Sequence, residues 1–294
     1  MKKTINDIGT QLGKVALNIV ANIEQYLVYL AHSSLLKISG IKQTQLPRLA
    51  DESILIIGNG PSVNDFDLQS LSKKKLSLLC VNWFATESDV FFDIRPRYYC
   101  MIDPFFYHEN NLKSQKVKEL YSNLNRVDWD MTYICIASQN TEQINNQHIN
   151  IVRLTPIEYF GSIRKNKLYN KNKANFGFQN VILASLFFCI SSHVKSIYLC
   201  GVDSDWHREL FVDENNDVYR EYIHFYGSER YNITENGGLK KGEFYKYIGY
   251  YYDTMKEFYN ASKYAEENNV PIYNLTLKSY IDVFPKKRVE DIIT

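Results

Sequence analysis

Neither sign of charge prevails: 34 Lys and Arg stand against 33 Asp and Glu in 294 residues, which excludes a chain built to coat nucleic acid. Paired cysteine motifs are missing. Cys80, Cys100, Cys135, Cys189 and Cys200 stand singly in apolar stretches, with no C-x-x-C and no histidine at ligand spacing, and read as reduced core thiols. The start, Met1-Lys2-Lys3-Thr4, lacks the apolar core and cleavage site of a secretion signal. No apolar run is long enough to span a bilayer. The expectation is a cytoplasmic protein, with the inner face of the membrane as a variant. No internal repeat is visible.

Aromatic residues, by contrast, are plentiful at 14%, with 23 tyrosines, which suits half-buried surfaces and also sugar or nucleotide faces. The most informative stretch is Ser53-Ile54-Leu55-Ile56-Ile57-Gly58-Asn59-Gly60-Pro61-Ser62. Its first half is apolar on both faces, the mark of a buried parallel strand, and it breaks at once into glycine, proline and serine. Gly58 and Gly60 can take positive φ and let N–H groups converge on an anion, with Asn59 and Ser62 adding side-chain hydrogen bonds. The alternative is that Ser62-Val63-Asn64-Asp65 is a capping box and Ser62 only starts a helix.

Around this corner the chain reads as an α/β protein. Residues 5–38 carry Ile5, Ile8, Leu12, Val15, Ile19, Ile23, Leu27 and Leu30 at helical spacing, predicting an amphipathic helix packed by that stripe on the body or on a partner subunit, or lying on a membrane surface. The polar stretch 39–52 marks off this extension (1–50) from the main domain (51–294). Further strands are expected at 76–81, 97–102, 132–137, 149–154, 195–203 and 271–275, and helices at 180–192, 243–267 and 286–293. Asn82, Asp103 and Ser138 follow strand ends, where open parallel sheets bind ligands. The basic stretch 164–173 reads as a solvated loop or a lid over an anionic substrate. Residues 204–242, with Trp206, His207, His224, Tyr226 and Tyr231, lack regular period and read as a substrate lid.

These residues resemble the bacterial sialyltransferases of glycosyltransferase family 42, and more broadly glycosyltransferase domains of surface-polysaccharide synthesis that share G-x-G-P-S. The resemblance rests on Gly58-Asn59-Gly60-Pro61-Ser62, on Asn82 and Phe84, on the Asp103-Pro104-Phe105-Phe106 corner, and on Ile197-Tyr198-Leu199-Cys200-Gly201-Val202-Asp203. It covers roughly residues 53–275. It implies a GT-A-like, Rossmann-type, mostly parallel sheet with helices on both faces and a small lid. The implied activity is transfer of sialic acid or a related acidic sugar from a CMP-linked donor to a glycan or glycolipid acceptor, without a metal cofactor. Asn59, Gly60 and Ser62 would then hold the nucleotide phosphate, Asn82 the nucleotide or ribose, and Asp103 the base or donor; Gly58, Pro61, Ser138, Asn180 and Asp203 complete the expected donor site. The chain departs from the family at Gly177-Phe178-Gln179-Asn180, where Thr-Ser-Gly is usual, and at Asp103, where Asn is usual.

Glycosyl transfer needs a base at the acceptor hydroxyl and charge stabilisation at the leaving phosphate. His224 is the expected base, with His207 in reserve, and Tyr222, Tyr226 and Tyr231 are candidate donors to the phosphate. A competing reading takes Asp203-Ser204-Asp205 as a D-x-D that shares Mg or Mn with a UDP- or GDP-sugar, or serves a pyrophosphokinase-like enzyme. A further reading is a non-catalytic nucleotide-sugar-binding module.

Overall fold

The computed structural model describes the backbone of residues 2–224, 227–236 and 238–292, and the side chains of residues 14–221, 230–235 and 238–292. In chain order the elements are α1 (Lys2–Ile38), β1 (Ser53–Ile57), α2 (Leu68–Ser72), β2 (Ser77–Val81), α3 (Ser88–Ile94), β3 (Tyr98–Cys100), α4 (Gln115–Asn125), β4 (Met131–Ile136), β5 (Ile149–Leu154) and α5 (Lys165–Asn170). There follow α6 (Val181–Ser191), β6 (Ser196–Cys200), β7 (Leu210–Val212), β8 (Val218–His224), β9 (Gly227–Asn232), α7 (Ile233–Asn236), α8 (Phe244–Glu267) and β10 (Ile272–Asn274).

Seven strands form one parallel sheet in the order β10-β6-β1-β2-β3-β4-β5. The alternation of a β-strand explains how apolar runs fill both faces. Ile54 and Ile56 of β1 point into a core built with α6 and α8, while Leu55 and Ile57 point into one built with α2, α3 and α4. The α6 sequence is apolar all round because it is buried along its whole length. All five cysteines are free and buried, and burial pushes each thiol pKa up. From β1 the chain steps outward to β5, then crosses back to place β6 on the other side of β1. That reversal is a topological switch point, where the connections leaving β1 and β6 diverge and open a crevice.

Four expectations are corrected. The helical stripe of α1 does not pack on the body: Val15, Ile19, Ile23, Leu27 and Leu30 are exposed, and the helix docks through Asn22, Tyr26, Tyr29, Ser33 and Leu36. The basic stretch 164–173 is not a solvated loop, since it forms α5 and is stapled down by fully buried Asn172. That side chain accepts from Thr155 N (2.9 Å) and donates to Thr44 O (2.9 Å) and Arg153 O (2.8 Å). Residues 204–242 contain a regular antiparallel sheet, β7-β8-β9, with its own small core of Val218, Ile233 and Leu239. Instead of a closing helix, the described residues of 286–293 hold a 3-10 turn, Val289–Asp291. The chain just before that turn pairs with the outer edge of β10, Asn274 N donating to Pro285 O (2.9 Å) and Lys287 N to Asn274 O (3.1 Å), which covers an otherwise open strand.

Candidate functional site

A cleft of about 390 Å³ opens at the switch point. Its floor is the ends of β1 (Gly58 to Pro61), β2 (Val81 to Trp83) and β6 (Gly201 to Asp205); Asp103 stands at one side and the first turn of α6 at another. Trp206, Glu209 and Arg220, which lead into and belong to the small antiparallel sheet, form the remaining wall. Of the residues singled out from the sequence, Gly58, Asn59, Gly60, Pro61, Asn82, Asp103, Asn180, Asp203 and Asp205 are therefore brought together, although they lie as far apart along the chain as Gly58 and Asp205.

The glycines act differently from the sequence expectation. Neither Gly58 nor Gly60 has a positive φ, and their N–H groups are spent on the neighbouring strand end, donating to Cys200 O (2.8 Å) and Gly201 O (2.9 Å). What they supply is close approach. A Cβ at Gly58 would lie 2.3 Å from Gly201 O, and one at Gly60 would lie 1.9 Å from Asp203 Oδ2. The corner is thus a seam between β1 and the end of β6 and not an anion nest. Ser62 completes the seam: its hydroxyl donates to Asp203 Oδ2 at 2.8 Å and its backbone N–H at 3.4 Å. The helix-capping alternative also falls, since the 3-10 turn Pro61–Asp65 has Gly60 at its N-cap. Burial raises the pKa of Asp203; the Ser62 hydrogen bonds oppose this and the Asp205 charge adds to it.

Two asparagines give the cleft its polar character. Asn59 donates through Nδ2 to Val81 O at 3.2 Å, leaving its Oδ1 buried without a partner. Asn82 holds a left-handed backbone (φ +47°), a conformation asparagine tolerates better than most residues, and its Oδ1 is likewise buried and unpartnered. The turn is fixed by Tyr99, whose hydroxyl donates to Asn82 O and accepts from Ala85 N (3.0 Å). Two unsatisfied carbonyl oxygens in one crevice call for donors from a ligand.

Anion-binding capacity lies elsewhere. Asn180 caps α6, accepting from Leu183 N at 3.0 Å, and Val181 and Ile182 of the first turn line the cleft, which places the positive end of an 11-residue helix at its wall. Arg220 is the one Lys or Arg among the described residues lining the cleft. Its Nε donates to Glu209 Oε2 (2.8 Å), Nη1 reaches the Tyr247 hydroxyl (3.3 Å), and the guanidinium stacks 5.2 Å from the Trp206 ring. These contacts orient its planar fork while Asp103, Asp203, Asp205 and Glu209 keep the cleft as a whole acidic. Among the described residues, no three His, Cys, Asp or Glu side chains group so as to hold a metal ion.

Several candidates stand apart. Ser138 is exposed beyond β4, where Gln139 closes the sheet end by accepting from Ile136 N (2.7 Å) and donating to Ile102 O. His207 does not line the cleft; its ring packs 4.8 Å from Tyr251 and 4.6 Å from Tyr280, with Nδ1 buried and unpartnered. Tyr231 sits on β9 opposite Arg220, against the small core. Asp103 is exposed, and its carboxylate caps the following turn at Phe105 N (2.9 Å). His224 closes β8, four residues beyond Arg220, but its side chain and that of Tyr222 lie outside the described residues, as does Tyr226 altogether. Arg220 and Glu209 were missed from the sequence. Val218-Tyr219-Arg220-Glu221-Tyr222 runs two apolar residues into two charged ones and lacks the alternation of a half-buried strand, so the pattern gave no signal for Arg220.

No family model and no curated protein matches the chain. It is similar to solved sialyltransferases. One is CST-II in complex with a trisaccharide acceptor and CMP, at 15% identity and a TM-score of 0.40 over 80% of this chain and 85% of that one. Another is the monofunctional alpha-2,3-sialyltransferase Cst-I from Campylobacter jejuni, at 15% identity and a TM-score of 0.42 over 83% and 84%. A third is the F91Y mutant of the alpha-2,3/8-sialyltransferase CstII, at 17% identity and 0.37 over 80% and 86%. Likeness at this level carries no ligand and no catalytic residue across to this chain.

Proposed function

We propose that this protein is a sialyltransferase-like glycosyltransferase that moves sialic acid or a related acidic sugar from a CMP-linked donor to a hydroxyl of a bacterial surface glycan. The observation that carries the reading is the pair of buried, unpartnered amide oxygens of Asn59 and Asn82 in a crevice at the switch point of a parallel sheet. A nucleoside offers the donors they lack, in ribose hydroxyls and an exocyclic amine. The cytidine identity of the donor rests on the sequence motifs that carry the family resemblance, and so do the glycan acceptor and the GT-A-like description of the fold.

In this mechanism Asn59 and Asn82 hold the nucleoside, and Trp83 offers a ring face beside it. The first turn of α6 and Arg220 meet the two negative groups of the donor, its sugar carboxylate and its phosphate. As the glycosidic bond to phosphate breaks, the oriented Arg220 fork stabilises the departing CMP. His224 accepts the proton of the acceptor hydroxyl. The β7-β8-β9 sheet, which supplies Arg220, serves as the lid. Transfer proceeds without a resident metal, the carboxylate of Asp203 being engaged by Ser62 in the β1–β6 seam.

The test is calorimetric titration of the full chain with CMP, UDP and GDP, each with Mn²⁺ or with EDTA, on the wild type and on Asn82→Gly. Glycine takes the left-handed backbone of residue 82 without strain and removes only the amide. The expected result is CMP binding that survives EDTA, weakened about tenfold by the substitution, as the loss of one or two hydrogen bonds implies. Release of CMP from CMP-sialic acid in the presence of a glycan acceptor completes it. Binding of UDP or GDP only with Mn²⁺ would replace this reading with the metal-dependent one and make Asp203 and Asp205 its ligands.

A further inference from the structure

A second cavity, of about 730 Å³, opens between α1, α5 and α8 on the face of the sheet that α6 covers. It shares no lining residue with the cleft, and the two adjoin at one turn, where Gln179 lines the cavity and Asn180 the cleft. Tyr169, Phe176 and Glu257 are its buried lining residues, with the two rings 6.2 Å apart. Phe160, 51% exposed, stands at the mouth, and Gln25, Gln179 and Asn260 add amides. A concave site lined by aromatic rings and a few polar groups is the usual form of a small-molecule site.

Glu257 is the group in this lining that lacks its complement. Its Oε2 accepts from Gln179 N at 2.9 Å, and its Oε1 accepts no hydrogen bond from the described residues. The lysines of the lining are engaged elsewhere: Lys165 Nζ lies 3.4 Å from Glu267 Oε1, Lys263 Nζ lies 2.9 Å from Glu266 Oε2, and Lys256 Nζ rests 5.8 Å from the centre of the Tyr252 ring. Glu158, from the loop after β5, and Asp253 of α8 line the same space and add negative charge. Burial pushes the Glu257 pKa up to about 7, the Gln179 hydrogen bond opposing and the charges of Glu158 and Asp253 adding. To anchor the turn at Gln179 one neutral oxygen is enough, and a glutamine would supply it without the cost of burying a charge. What the carboxylate adds is a negative oxygen at the wall of an aromatic cavity.

A buried carboxylate without a counter-ion draws a cation, and the rings say of which kind. A metal ion needs several ligands at once, and among the described residues no three His, Cys, Asp or Glu side chains group so as to hold one. An ammonium group brings hydrogen-bond donors for Oε1 and a positive charge that ring faces attract, while its carbon body covers the apolar wall. We propose that this cavity binds an organic ammonium ion, with the charged nitrogen on Glu257 and the carbon body against Phe160, Tyr169 and Phe176. A free amine and the amino group of a sugar present the same chemistry. No residue of the cleft takes part, so this assignment and the transferase reading stand or fall separately.

The test is calorimetric titration of the full chain with putrescine, glucosamine and N-acetylglucosamine, on the wild type, Glu257→Gln and Phe160→Ala. Glu257→Gln keeps an oxygen for Gln179 N–H, and Phe160→Ala changes an exposed ring and leaves the carboxylate in place. At pH 7 one or both amines should bind the wild type with a Kd of about 1 mM or below, and N-acetylglucosamine, which carries no charge, should not. Preference for putrescine marks a free amine as the ligand, and preference for glucosamine marks an amino sugar. Affinity should fall about tenfold in Glu257→Gln and a few-fold in Phe160→Ala. Putrescine, protonated throughout, should bind the wild type about tenfold more tightly at pH 8 than at pH 6, because Glu257 ionises between them, and Glu257→Gln should flatten that rise. Failure of both amines to bind overturns the proposal, as does equal affinity in wild type and Glu257→Gln. N-acetylglucosamine binding as tightly as glucosamine overturns it too, since the site would then read the sugar and not the charge.

Discussion

Glu257 on α8 is only 5% exposed, yet among the described residues its carboxylate has no ion-pair partner. Its Oε2 accepts from Gln179 N at 2.9 Å, and so anchors the turn that leads through Asn180 into the cleft-lining end of α6. Burial raises its pKa from 4.5 to about 7, the Gln179 hydrogen bond opposing and the charges of Glu158 and Asp253 adding. In the unfolded chain this group ionises near its ordinary value, and in the folded chain well above it. Between those two pH values the folded state holds a proton the unfolded state has lost, so stability is full below about pH 4.5 and falls as pH rises to about 7. At about 1.4 kcal/mol per pH unit the full gap corresponds to about 3 kcal/mol, and water reaching the carboxylate from the groove beside α8 trims this to about 2 kcal/mol. Glu257→Gln keeps an oxygen for Gln179 N–H and removes the charge. Urea unfolding should therefore find the variant about 2 kcal/mol more stable than wild type at pH 8 and nearly equal to it at pH 4.5. A difference that is the same at both pH values would refute the reasoning, because it would mean that Glu257 does not titrate between them.

Three further expectations follow from the cleft. Gly60→Ala drives a Cβ to 1.9 Å from Asp203 Oδ2 and 2.8 Å from Gly201 O, and should cost about 1–3 kcal/mol by urea unfolding; no loss would mean that β1 and the end of β6 are not in that close register. Ser62→Ala removes the 2.8 Å donor to Asp203 and should lower stability by about 1–3 kcal/mol at pH 7. The loss should shrink toward acid pH as the carboxylate protonates, and a pH-independent loss would point to packing alone. Arg220→Lys keeps the charge but loses the planar fork held between Glu209, Tyr247 and Trp206; CMP affinity should fall about tenfold, and unchanged affinity in titration calorimetry would remove Arg220 from the donor site.

Much of the sheet was legible because its strands obey a strong rule. Short runs such as Ile54 to Ile57 and Ile197 to Cys200 are apolar on both faces and bounded by turn residues, as the doubly buried strands of a parallel sheet are. The polar residues that follow them, Asn59, Asn82 and Asp203, were legible as ligand candidates for the same reason. The small antiparallel sheet was hidden because its alternating residues are tyrosine, arginine and glutamate, which carry little hydrophobic period; Arg220 was hidden with it. The α1 stripe was read correctly as a helix, and of the surfaces it was expected to meet the body of the domain is excluded, because period fixes which side chains share a face but not what that face meets.

By itself, then, the order of residues determined which segments form the strands of the large sheet, that this sheet is parallel, and that glycine and asparagine gather at its strand ends, since each of these follows from local sterics and from the two-sided apolar character of its runs. Tertiary structure alone decided that β6 returns beside β1. That placement turned Gly58 and Gly60 from an anion nest into a seam, gave Ser62 to Asp203, and opened the crevice in which Asn59, Asn82, the end of α6 and Arg220 meet. Contacts between residues more than a hundred positions apart depend on how the layers pack, which no local pattern encodes.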